Sequence, residues 1–168
     1  MNKNSKLNIA SVIGVRDGID QIFSLIHEYL ESYSQNVEKT SQLKSCANYV
    51  HQLSGLFEML ELNNLTIISN KMEKLIDALI EQQISPEPLA LNALKDITEA
   101  LLQYLHELID GANGNPMRLF PAYRNLMHAQ GVKDVAESDL FCVNLAYEPS
   151  LQAALPNSES NKISVTAK

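Results

Sequence analysis

The sequence predicts an all-α fold, an antiparallel four-helix bundle with a short extra C-terminal helix and an irregular tail. Three observations point there. Apolar residues recur at helical spacing through four consecutive stretches, short polar breaks separate those stretches, and no alternating strand pattern competes between residues 15 and 111.

Residues 1–14 open with the polar run Met1 to Lys6 and are expected to be flexible; the apolar run that follows is broken by Gly14 and Arg16, which is not a secretory signal. Helix signals begin at Val15 to Asp17, with Asp17 able to cap, and Ile19, Ile22, Phe23, Ile26, Leu30 and Tyr33 form one stripe. His27 flanks that stripe and reads as a solvated histidine without a role. Ser34 to Asn36 is a polar break. A second helix is expected from about Glu38 to Leu62, with Val50, Leu53, Phe57 and Leu60 on its buried face. Asn63 or Asn64 caps the third, where Leu65, Ile68, Met72, Leu75 and Leu79 repeat with heptad spacing, so Met72 is a packing residue. Ser85-Pro86-Glu87-Pro88 combines a serine cap, a first-turn proline and an acidic residue. The fourth helix carries Leu91, Leu94, Ile97, Leu101, Leu105 and Leu108 and stops at Gly111.

Residues 112–150 read as a short helix and a packing or docking segment. Asn115-Pro116 opens a fifth helix ending at Gly131, with Pro121 either kinking it or delaying its start, and Glu137 to Leu145 runs from acidic into apolar. Residues 151–168, rich in Ser, Asn and Lys toward the end, are expected to be disordered.

Composition removes several function classes. A chain of 168 residues is long enough to bury a core without staples. Its net charge of −7, with basic residues scattered among carboxylates, argues against nucleic acid. Cys46 and Cys142 lack Cys-x-x-Cys spacing, so neither a zinc site nor a disulfide scaffold is suggested and the compartment reads as reducing. No stretch approaches the roughly 18 apolar residues of a membrane span, so no membrane insertion and a cytoplasmic location are expected. The residues three before His27, His51, His106 and His128 are not carboxylates, which excludes the Glu-x-x-His pairs of a di-metal bundle. His-Glu-x-x-His and a Gly-rich phosphate loop are also missing, so no metal, no cofactor and no autonomous catalysis are expected.

The best clue to function is His51. It follows Val50, about 100° around the helix, and so lies on the flank of the buried face. One turn to either side sit Ala47 and Gly55, small enough to leave the imidazole reachable by a large partner. A histidine that accepts a phosphoryl group needs a neutral ring nitrogen, accessible, with the other nitrogen held by an acceptor. If the chain turns back at Asn63-Asn64, positions 73 to 75 face His51, and position 73 is a glutamate.

At these residues the chain resembles the histidine phosphotransfer (Hpt) domain, in particular the phosphoacceptor domain of chemotaxis-type histidine kinases. His51-Gln52-Leu53-Ser54-Gly55 is similar to the family's His-x-Leu/Ile-Lys-Gly, and Met72-Glu73-Lys74-Leu75 to its Met-Glu-x-Leu, with Glu73 lying 22 residues after His51 as in the chemotaxis members. Ser54 stands where the family has lysine, and Leu56 and Phe57 where it has small residues. The resemblance implies that His51 is the phosphoacceptor and Glu73 its hydrogen-bond partner. Asn115 to Pro121, Gln130-Gly131 and Glu137 to Phe141 resemble the segment after the first Hpt-like bundle in the large kinases of type IV pilus systems and in twitching-motility scaffold proteins. Those relatives continue through further modules, so this chain is expected to be an excised N-terminal piece or a shortened relative.

Two readings follow. In the first, His51 takes phosphate from a histidine kinase catalytic domain and passes it to a response regulator receiver domain, with Ala47 and Gly55 allowing approach and Gln52, Ser54 and Glu58 forming part of the rim. In the second, a pseudo-Hpt scaffold docks signalling or pilus-polarity scaffold proteins without chemistry, and Leu56, toward the edge of the seam, extends an apolar contact patch.

Overall fold

A computed structural model of the chain describes residues 13–112 and 114–140; the expectations for residues 1–12 and 141–168 lie outside the described residues. Helix α1 spans Arg16–Gln35, α2 Thr40–Met59, α3 Asn63–Ile80 and α4 Pro88–Ile109. A 3-10 turn over Pro116–Leu119 leads into α5, Phe120–Ala129, and a second 3-10 turn covers Glu137–Leu140. The fold is all-α, with no strand among the described residues.

Each long helix turns its apolar stripe inward because only that face escapes water. Ile19, Phe23, Ile26, Leu30 and Tyr33 from α1, Val50, Leu53, Phe57 and Leu60 from α2 and its end, Leu65, Ile68, Met72, Leu75 and Leu79 from α3, and Leu91, Leu94, Ile97, Leu101 and Leu105 from α4 all fall in one buried cluster. Ile22 and Leu108, expected on the same stripes, lie half-buried at its edge. Cys46 is also in this core, where burial pushes its thiol up to about 12 and keeps it protonated and unreactive.

The long helices run antiparallel in a register that side-chain bonds reveal. Between α2 and α3, His51 meets Glu73 and Ser54 meets Asn70, so a step forward on one helix is a step back on the other. Between α1 and α4, Asp20 meets His106 at 2.7 Å and Glu31 meets Lys95 at 2.5 Å in the same opposed sense. Consecutive helices α1, α2 and α3 pack side by side and α4 returns to α1. Helices α3 and α4 touch each other little, because α5 packs against both. Tyr123, Leu126 and Met127 of α5, with Leu119 before it and Leu140 after it, are buried there. The fifth helix thus closes the side of the bundle that α3 and α4 leave open.

Helix ends depart from expectation. Asp17, Asn63 and Ser85 do not act as caps: the N-cap positions are Val15, Leu62 and Glu87, without side-chain capping bonds, and Asp17 sits inside the first turn of α1. Ile13 and Gly14, expected to be flexible, are helical. Helix α2 stops at Met59 rather than Leu62, since Glu61 takes φ 57° and closes the turn with Leu62 N–H donating to the Phe57 carbonyl at 2.9 Å. A left-handed glutamate is uncommon, and no glycine marks the turn. At Gly111, φ 85°, the fourth helix ends as expected, with Ala112 N–H donating to the Glu107 carbonyl at 2.9 Å. The fifth helix begins late: Asn115 accepts a bond from Met117 N–H in the 3-10 turn, and Pro121 falls in the first turn of α5, where its missing N–H costs nothing.

The Lys95 ammonium donates to Glu31 and holds its carboxyl below the ordinary value, and Lys95 also donates to Ser34 at 3.3 Å. A carboxyl whose folded-state value is depressed stabilises the fold above its unfolded value, and that contribution is lost as pH falls through the folded value. Lys95→Gln is therefore expected to lower stability slightly at pH 7, where the contribution is fully present but small for an exposed pair, to leave it unchanged in acid, and so to flatten the loss of stability across the acidic carboxylate range. Urea titrations at neutral and acidic pH check this; an unchanged acid slope in the variant would count against the pair.

Candidate functional site

His51 and Glu73 face each other across α2 and α3 at the midpoint of both helices, where neither end fraying nor loop motion disturbs them. The His51 Nδ1 lies 3.0 Å from Glu73 Oε1. A carboxylate can only accept, so Nδ1 carries the proton and donates it. The lone pair of a neutral ring is then on Nε2. The His51 side chain is 76% exposed and that of Glu73 28%, so the acceptor is tucked against the helices while the ring stands clear. An oriented imidazole with a free, outward nitrogen is a nucleophile that needs no pocket of its own, provided that a partner brings the electrophile.

The surroundings of the ring are open. A Cβ built on Gly55 would meet nothing within 4 Å. Packing therefore does not require glycine there, although glycine inside a helix costs about 1 kcal/mol relative to alanine. Ala47, one turn before His51, is half-buried against the core. Gln52 and Glu58 are exposed, as a rim requires. Leu56 is half-buried against the core, and Met59, which sequence reasoning passed over, is 83% exposed two turns beyond His51.

One expected rim residue is not on the rim. Ser54 is buried, and its hydroxyl donates to Asn70 Oδ1 at 2.7 Å across the helix pair. The reason is angular: Ser54 is four residues after Val50 and one after Leu53, inside the arc that the core covers. Asn70 was missed altogether, although its place three residues before Glu73 is a signal for a residue facing α2.

Another histidine has a carboxylate partner, but in a different setting. His106 uses Nε2 toward Asp20, is 35% exposed, and ties α4 to α1 as part of a polar cluster that includes Arg16. Among the described residues no group of His, Cys, Asp and Glu is arranged to hold a metal ion, and no helix is long and apolar enough to cross a membrane.

Comparison with protein-family models, curated proteins and solved structures finds no match to this chain. What it does must be read from the chemistry of the site.

Proposed function

We propose that the chain is a histidine phosphotransfer module in a chemotaxis-like phosphorelay, cytoplasmic, in which His51 accepts phosphate from a histidine kinase catalytic domain and passes it to a response regulator receiver domain. The observation that carries this reading is the 3.0 Å bond from His51 Nδ1 to Glu73 on a ring that is 76% exposed. The Nε2 lone pair forms the new N–P bond as the bond from phosphorus to its leaving oxygen breaks in the kinase's bound phosphoanhydride. Glu73 stabilises the positive charge that develops on the ring. Transfer onward reverses the polarity: a receiver carboxylate attacks phosphorus and the N–P bond breaks, returning a neutral imidazole. Gly55, which packing does not require, keeps the approach clear. The assignment to control of type IV pili and twitching motility rests on the resemblance of Asn115 to Pro121 and Glu137 to Phe141.

The pseudo-Hpt scaffold is the second reading, favoured by Met59, 83% exposed on the helix that carries His51. Incubation of the purified chain with chemotaxis-type kinase domains separates the two. Acid-labile, base-stable label is the result expected for phosphotransfer. Absence of label across kinases, with regulators still bound, would leave the scaffold.

Glu73→Ala is expected to slow labelling roughly ten- to a hundredfold, the scale for losing the carboxylate behind a metal-bound histidine. Stability should shift by no more than about 1 kcal/mol, as for a solvent-accessible pair. Initial rates of labelling and a thermal melt check both halves; a wild-type labelling rate in the variant would remove Glu73 from the mechanism.

A further inference from the structure

The α2–α3 interface near the site is mostly apolar, with Val50, Leu53 and Phe57 against Leu65, Ile68 and Met72. Apolar contact is non-directional and fixes a helix pair less sharply than a hydrogen bond does. The His51–Glu73 bond has little tolerance, since the helical rise is about 1.5 Å per residue and a slip of that size would break it. A second directional contact close by would hold that register more sharply than packing alone.

Ser54 supplies it. A buried hydroxyl in a helix ordinarily satisfies itself on its own backbone: Ser69 donates to the Leu65 carbonyl at 2.9 Å and Thr98 to the Leu94 carbonyl at 2.6 Å. Ser54, only 7% exposed, instead reaches across to Asn70 Oδ1 at 2.7 Å. Its bond lies three residues from His51 on α2 and three from Glu73 on α3, one turn from the site on both helices. Among the described residues, these are the two side-chain hydrogen bonds that join α2 to α3. We propose that Ser54 and Asn70 are a positioning pair that holds α2 and α3 in the register at which His51 donates to Glu73. The pair itself touches no phosphoryl group. It deepens the phosphotransfer reading, on which its consequence for labelling rests, and it sets the His51 tautomer whether or not the ring is ever phosphorylated.

The test is Ser54→Ala, Asn70→Ala, the double variant and Ser54→Thr, with Ser69→Ala as control for the loss of a buried hydroxyl that does not cross helices. Asn70 is exposed, so its variant keeps the test alive should Ser54→Ala fold poorly. Two quantities are read: the tautomer of His51 from its ring nitrogen-15 shifts, and the labelling rate with a chemotaxis-type kinase domain. In the wild type the proton is expected on Nδ1. Ser54→Ala and Asn70→Ala should each move part of the population to Nε2–H and slow labelling about fivefold, the rate equivalent of one hydrogen bond. The double variant should be no slower than either single, as expected for partners in one bond, and Ser54→Thr should restore the wild-type tautomer. Ser69→Ala should leave tautomer and rate unchanged. An unmoved tautomer in Ser54→Ala and Asn70→Ala, or an equal shift in Ser69→Ala, overturns the proposal. Because the tautomer is read without any kinase, a chain that never takes label while its tautomer responds to Ser54→Ala retains the positioning pair and loses only the phosphotransfer reading.

Discussion

His51→Gln is expected to abolish the acid-labile label while leaving stability within about 0.5 kcal/mol of the wild type, the range for an exposed substitution. Both halves come from the same geometry. The His51 side chain is 76% exposed and lies outside the apolar cluster, so removing it opens no cavity. Its bond partner, Glu73, is 28% exposed and can exchange the lost donor for water. Glutamine is also a better helix former than histidine. Chemically nothing substitutes, because an amide nitrogen has no lone pair comparable to that of a neutral imidazole. Labelling with a kinase domain and a melt followed by circular dichroism give the two numbers. Label that survives in the variant would have to sit on His27, His106 or His128. The first and last are exposed, but His106 presents Nε2 to Asp20 at 2.7 Å and is only 35% exposed, so it is the poorest of the three as an acceptor. A persisting label would therefore fall on His27 or His128 and would sink the role given to His51.

The pairing of His51 with Glu73 was legible because it needs only coarse facts. Two amphipathic helices and a short turn between them bring positions 73 to 75 opposite His51, and that window holds a single carboxylate, Glu73. The core was legible for the same reason: Phe23, Leu53, Met72 and Leu101 sit at helical spacing, and all are fully or almost fully buried. The helix ends were not, because they turn on one residue's backbone angles. Asp17, Asn63 and Ser85 are good capping residues by type, yet the N-cap positions fall at Val15, Leu62 and Glu87, without side-chain capping bonds. The turn at Glu61 carries no glycine and so left no mark. Ser54 failed differently. A polar residue beside a site reads as surface, whereas its angular position puts it under the α2–α3 contact, where a small hydroxyl can be buried if one acceptor is in reach. Its partner, Asn70, becomes visible only once the register is known.

Phe57→Ala is expected to destabilise the chain by about 3–5 kcal/mol, a large part of the roughly 5–15 kcal/mol available to a single domain. Phe57 is 0% exposed and among the largest fully buried side chains. It stands in the last turns of α2, and its carbonyl accepts the Leu62 N–H that closes the turn into α3. The cavity would thus open where the α2–α3 hairpin is fixed, with Leu53, Leu60 and Leu65 in the same cluster and only limited room to collapse. A urea titration should show the loss as a lower midpoint at an unchanged slope. The consequence for the site is more informative than the size of the loss. Phe57 is bulky where the resembling family has small residues, and a ring on the surface would block a partner approaching His51. Here the ring points wholly inward, while Gly55 leaves the space beside His51 empty. Molecules of Phe57→Ala that remain folded should therefore label at the wild-type rate when counted per folded chain, at a temperature where both forms are populated. A variant that is barely destabilised, or one that labels faster per folded molecule than the wild type, would mean that the ring occupies the partner's path instead of the core.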